Sequence, residues 1–151
     1  MNDVGLFIKN GTYFDIELDQ ADLKADDGLE TPLTISIFTD ARVTDEQLPY
    51  GSTSKRGWWG DMFPDQPGDK IGSRIWTLNP GKITNETKNK ATDYCRESTK
   101  WMIDDGIASV INISSEYNEN KHLKIFIEVI KPDGTSSKYQ VLWDAQKVRR
   151  I

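Results

Sequence analysis

Between Lys55 and Leu78 the chain reads KRGWWGDMFPDQPGDKIGSRIWTL, and no helix of ordinary length fits through it. Gly57, Gly60, Gly68 and Gly72, with Pro64 and Pro67, break any regular run, and Gly81 follows just beyond. The same stretch carries Trp58, Trp59 and Trp76. Each indole offers roughly 150–250 Å² of mostly apolar surface, so the rings need cover from the chain's own core or from a partner. Adjacent residues on an extended chain point to opposite sides. One of Trp58 and Trp59 is therefore expected to enter the core and the other to face outward. Trp76 alternates with Arg74 and Leu78 and is expected in the core.

The flanking sequence supplies the body. From Thr84 to Asp105 the spacing is helical: Thr87, Ala91, Tyr94, Cys95, Ser98, Trp101 and Met102 recur every three or four residues. Thr84 suits the N-cap, Ile83 a hydrophobic staple before it, and Gly106 a left-handed stop. Beyond it the period changes to two. Ile107 to Ile113 reads as a strand; Leu123, Ile125, Ile127 and Val129 alternate along a second. Pro132-Asp133-Gly134 makes a turn, and Tyr139, Val141 and Trp143 alternate along a third. One long helix packed on a mainly antiparallel C-terminal meander is an α+β arrangement.

The N-terminal part is less regular. Asn10-Gly11 between Val4 to Lys9 and Thr12 to Leu18 signals a hairpin. Asp19 to Glu30 is acidic and reads as a connector. Leu33, Ile35 and Ile37 alternate, which favours a strand; a helix with Pro32 at its first position is the alternative. The chain of 151 residues is thus expected to form a single domain. Its parts are a hairpin over 1–20, a Trp/Gly-rich loop over 55–82, the helix over 84–105, the meander over 107–143 and a basic tail over 144–151.

Charge and motif content narrow the function. A net charge of −5 disfavours a duplex nucleic-acid surface, and the one basic cluster, Lys147-Val148-Arg149-Arg150, is short. No run of 18 apolar residues offers a membrane span, and no basic-then-apolar leader begins the sequence. Cys95 is the sole cysteine, which fits a reducing compartment, and its place on the apolar helix face makes it a core residue. His122 stands in a polar turn, where a solvated side chain is expected rather than a catalytic base. No zinc-ligand spacing or nucleophile elbow is present, and Gly68 to Ser73 lacks the Gly-Lys-Ser/Thr ending of a phosphate loop. Asp61, Asp65 and Asp69 beside tryptophans would suit a sugar cleft, but no second acid faces them from a rigid element. No catalytic residue, cofactor or metal is expected.

Particular strings carry a family resemblance. They are Leu29-Glu30-Thr31-Pro32-Leu33 with Ser36 to Arg42, Leu48-Pro49, Arg56-Gly57-Trp58-Trp59-Gly60-Asp61, and Gly72-Ser73-Arg74-Ile75-Trp76-Thr77-Leu78. Trp101 to Ala108 and Pro132-Asp133-Gly134 continue the series. Over roughly residues 22 to 135 the sequence resembles the small baseplate proteins of Mu-like phages and prophages, themselves similar to the sheath-initiator class of contractile tails. The resemblance implies a non-enzymatic wedge subunit from which sheath assembly starts. It would be present in several copies, contact other baseplate subunits and the tail sheath, and reach the virion after synthesis in the host cytoplasm. The alternative is a baseplate-associated peptidoglycan hydrolase. The candidate interface residues are Arg56, Trp58, Trp59, Asp61 and Arg74, with the two arginines expected to bridge the loop to acids such as Asp61 or to a neighbour's carboxylate.

Overall fold

The computed structural model describes residues 3–9, 13–16, 18–19, 22–23, 25–26, 28–78, 82–143 and 147–151. The N-terminal residues form three small antiparallel pairs. Strand β1 (Asp3–Val4) pairs with β6 (Ala25–Asp26), β2 (Phe7–Lys9) with β3 (Tyr13–Asp15), and β4 (Leu18–Asp19) with β5 (Asp22–Leu23). Asn10-Gly11, where the sequence places the hairpin turn, lies outside the described residues.

The architecture is α+β. Helices α1 (Glu30–Phe38), α2 (Asn85–Thr99) and α3 (Trp101–Asp104) accompany a four-stranded antiparallel sheet of β7 (Val110–Tyr117), β8 (Leu123–Ile130), β9 (Ser136–Leu142) and β10 (Lys147–Arg150). The strand order is β10-β9-β8-β7, with α2 packed against β7 and α1 against α2 and β10. Lys100, between α2 and α3, keeps helical angles (φ −58°, ψ −34°), so the two run on as one helix with a tightened turn. Thr84 caps it by accepting a hydrogen bond from the Thr87 N–H at 3.1 Å, and Gly106 ends it at φ +73°. Ile83, ahead of the cap, is 44% exposed.

Leu33 to Phe38 is helix, not strand. Pro32 sits in the first turn, where its missing N–H would have had no helical partner. Leu33 and Ile37 are fully buried, and Thr31, Thr34 and Ser36 are buried with them. A helix enclosed on nearly every side has no polar stripe, so its sequence loses the period of 3.6 and a chance period of two shows through. Its start is tied to the sheet: the Leu29 N–H donates to the buried Tyr139 hydroxyl at 3.0 Å, and the Arg150 N–H donates to Glu30 Oε1 at 2.5 Å.

Two boundaries of the sheet also differ from expectation. Ile107 and Ala108 belong to the helix exit, with the Ala108 N–H on the Met102 carbonyl, and β7 starts only at Val110. At the other end the expected tail is strand β10, paired in register with β9. Val148 opposes Val141 and buries with it, while Arg149 donates from Nε and Nη2 to Gln140 Oε1 at 3.0 and 2.5 Å. Three cations around a single valine read as a solvated tail, yet one inward side chain is enough to fix a short strand's face.

The core lies between the helices and one sheet face. Leu123, Ile125, Ile127, Val129, Tyr139, Val141 and Val148 meet Leu33, Ile37, Ile75, Ala91, Cys95 and Met102 there. Each large aliphatic side chain so buried contributes roughly 1.5–3 kcal/mol. Trp101 is only half-buried and turns to α1, donating from Nε1 to Ser36 Oγ at 2.9 Å. Tyr94, also half-buried, lies beneath the Arg74 guanidinium, 4.4 Å from its ring centroid, rather than on the sheet.

Candidate docking surface

The Trp/Gly-rich segment is ordered by what it touches. A parallel bridge joins Asp40 to Ser73, with the Ala41 N–H on the Ser73 carbonyl and the Ser73 N–H on the Thr39 carbonyl, both at 2.9 Å. Ser73 Oγ donates to the Ile37 carbonyl at 2.5 Å, and the Val43 N–H to the Lys55 carbonyl at 3.1 Å. Both ends of the segment are thereby laced to the stretch following α1. Gly72 makes the approach possible: at φ +96° its Cα lies so near the Thr39 carbonyl that a Cβ would overlap it.

A short 3-10 turn, Ile75–Thr77, changes which side chain goes inward. Ile75 is buried, whereas Trp76 is half-buried and donates from Nε1 to the Ala41 carbonyl at 2.9 Å. The expected alternation through Arg74, Trp76 and Leu78 fails because a turn, not an extended run, occupies those positions. Over the Trp76 ring lies Arg56, its guanidinium 4.4 Å from the centroid, while Arg56 Nη1 donates to Asp40 Oδ2 at 2.7 Å. Arg56 is held at φ +48°, a conformation that costs a side-chain-bearing residue roughly 1–2 kcal/mol. Arg74 reaches Glu97 on α2, with Nη2 2.7 Å from both carboxylate oxygens. Both arginines bridge the loop to acids, as expected of them, but the acids are Asp40 and Glu97 rather than Asp61.

Asp61 has another use. Its Oδ1 accepts the Ile71 N–H at 3.1 Å, closing the excursion of residues 62–70, all of them exposed. A second 3-10 turn, Trp59–Met62, stands at the base of that excursion. It overturns the expectation that one tryptophan enters the core. Trp58 is 47% exposed and Trp59 70%, and their rings touch at 5.5 Å between centroids, inclined by 46°. The Trp58 ring folds over Gly60, where any Cβ would occupy the ring's own position. Met62 and Phe63, next along the same turn, are 70% and 75% exposed. Neither was singled out from sequence, although four large apolar side chains within W-W-G-D-M-F at neither helical nor strand spacing were the available signal. Large apolar side chains left exposed this close together in the chain mark a candidate interaction site.

The other candidate chemistry is dispersed. His122 is exposed at the end of the Asn118 turn, its N–H on Asn118 Oδ1 at 2.8 Å. Cys95 is fully buried, and burial pushes its thiol up to about 12. Asp65 and Asp69 ride the exposed excursion. Among the described residues no group of three or more His, Cys, Asp or Glu could hold a metal ion, and no helix is long and apolar enough to cross a membrane.

Known proteins share this sequence along most of its length. The profile of a family described as phage protein GP46 matches residues 29–136. Baseplate protein gp46 of Escherichia phage Mu is 40% identical over 141 residues, spanning 93% of this chain and 94% of that protein. The Mu-like prophage FluMu protein gp46 of Haemophilus influenzae is 34% identical over 138 residues, spanning 91% and 93% respectively.

Proposed function

The chain belongs to the phage protein GP46 family, and from that membership we propose that it is a structural subunit of a contractile-tail baseplate, a wedge component on which sheath assembly begins. Baseplate membership is supported by the Mu relative, which aligns almost end to end and is named for that structure. The observation that carries the docking role is the exposed Trp58, Trp59, Met62 and Phe63 cluster on a loop braced at Asp40, Ser73 and Asp61. A subunit that must recognise neighbours in a fixed orientation needs apolar anchors that are already positioned, since rigidity lowers the ordering cost of binding. Arg56, Trp58, Trp59, Asp61 and Arg74 divide this task. The tryptophans contact the partner; Arg56, Asp61 and Arg74 hold the loop in shape.

In this reading the protein is not an enzyme and uses no cofactor. It works in several copies in the virion's tail baseplate, assembled in the host cytoplasm beside other baseplate subunits and the sheath. A peptidoglycan-hydrolase reading would need two carboxylates held about 5–9.5 Å apart on rigid supports. Asp61 instead spends an oxygen on loop closure, and Asp65 and Asp69 sit on the excursion. Electron microscopy of particles made without this protein tests the proposal. Tails lacking baseplates or sheaths are expected; complete tails that fail only at wall penetration would overturn it in favour of hydrolysis.

A further inference from the structure

The docking reading leaves open what chemistry meets the aromatic surface, and its rim supplies an answer. From Trp58 to Ile71 the charged residues are Asp61, Asp65, Asp69 and Lys70, an excess of acid. Arg56 is paired with Asp40, Arg74 with Glu97 and Lys55 with Asp45, while Arg42, packed against Gly57, donates from Nη1 to the Arg56 carbonyl. With Asp61, Asp65 and Asp69 set against Lys70 and Arg42, the balance stays acidic. Aromatic faces carry negative quadrupole charge and attract guanidinium and ammonium groups. Among the described residues that contact is made by Arg56 over Trp76 and by Arg74 over Tyr94, each at 4.4 Å. Trp58 and Trp59, 47% and 70% exposed, share this loop with the acids.

We infer that the surface formed by Trp58, Trp59, Met62 and Phe63 with Asp65 and Asp69 receives a cationic segment of a neighbouring protein subunit, one that sets Arg or Lys among apolar residues. The apolar stems of those side chains cover the indoles while their charged heads reach the acids at the rim. This inference rests on the docking reading and specifies its partner.

Its test is incorporation into tails, quantified by mass spectrometry of particles from cells in which variants replace the parent protein. Asp65→Lys with Asp69→Lys should lower incorporation at least about tenfold, and Asp65→Asn with Asp69→Asn should lower it less. Both acids are exposed, so the denaturation midpoint should not move. Phe63→p-benzoylphenylalanine, irradiated in assembled tails, should crosslink to a peptide bearing Lys or Arg. Parental incorporation of the Lys variants, or a crosslink to a cation-free peptide or to glycan, overturns the inference. Trp58→Ala with Trp59→Ala separates the two levels. If that variant fails to incorporate while the Lys variants succeed, docking stands and the cationic partner falls. If every variant incorporates normally, the docking reading falls as well.

Discussion

Glycines do the least replaceable work in the loop. Gly60 lies directly beneath the Trp58 ring, so Gly60→Ala must swing the indole away. We expect that substitution to alter tryptophan fluorescence and tail incorporation while shifting stability by no more than about 1 kcal/mol, since the turn is exposed. Gly72→Ala should behave in the opposite sense. There a Cβ meets backbone, the Thr39 carbonyl, at a φ of +96°, and chemical denaturation should show a loss of about 2 kcal/mol or more. Cys95 offers a pH test. Its thiol is raised from 9.0 to about 12 by burial, so the folded state favours the protonated form more than the unfolded chain does. That contribution is complete below about pH 9 and is lost progressively as pH climbs towards about 12. A thiol reagent at pH 8 should therefore label Cys95 only after denaturation; prompt labelling of the folded protein would contradict its burial.

Among the elements, those with one wet and one dry face were legible in the sequence. Helix α2 shows its buried Thr87, Ala91, Cys95 and Ser98 at helical spacing, and β8 shows its alternation without a break. Helix α1 was not legible, because enclosure removes the polar stripe that reveals a helix. Strand β10 was hidden by its cations, and the two 3-10 turns by their lack of any hydrophobic period. The Trp/Gly-rich loop could be located from its composition, yet its outward face could not. The direction of Trp58 depends on Gly60, and Arg56 finds Asp40, 16 residues away, only in the fold. Two substitutions test these elements. Val148→Ala should cost about 2 kcal/mol in denaturation if β10 completes the core, whereas a solvated tail would show no change. Trp101→Ala should cost less than the roughly 3–5 kcal/mol of a fully enclosed aromatic. Much of its loss should be reproduced by Ser36→Ala, since the indole N–H bonds that hydroxyl across to α1.

At the scale of the whole molecule, the proposed docking role puts assembly on a different surface from the one that carries stability. The core between the helices and the sheet uses neither Trp58 nor Trp59, and the loop carrying them is fastened by polar contacts to the stretch after α1. A variant should therefore be able to lose the second property while keeping the first. The most direct test pairs the denaturation midpoint of Trp58→Ala with Trp59→Ala against the abundance of that variant in purified tails. A midpoint close to the parent's, within about 1 kcal/mol of stability, together with a fall in incorporation of at least about tenfold, is the expected result. Full incorporation of a normally folded variant would contradict the docking role of this surface.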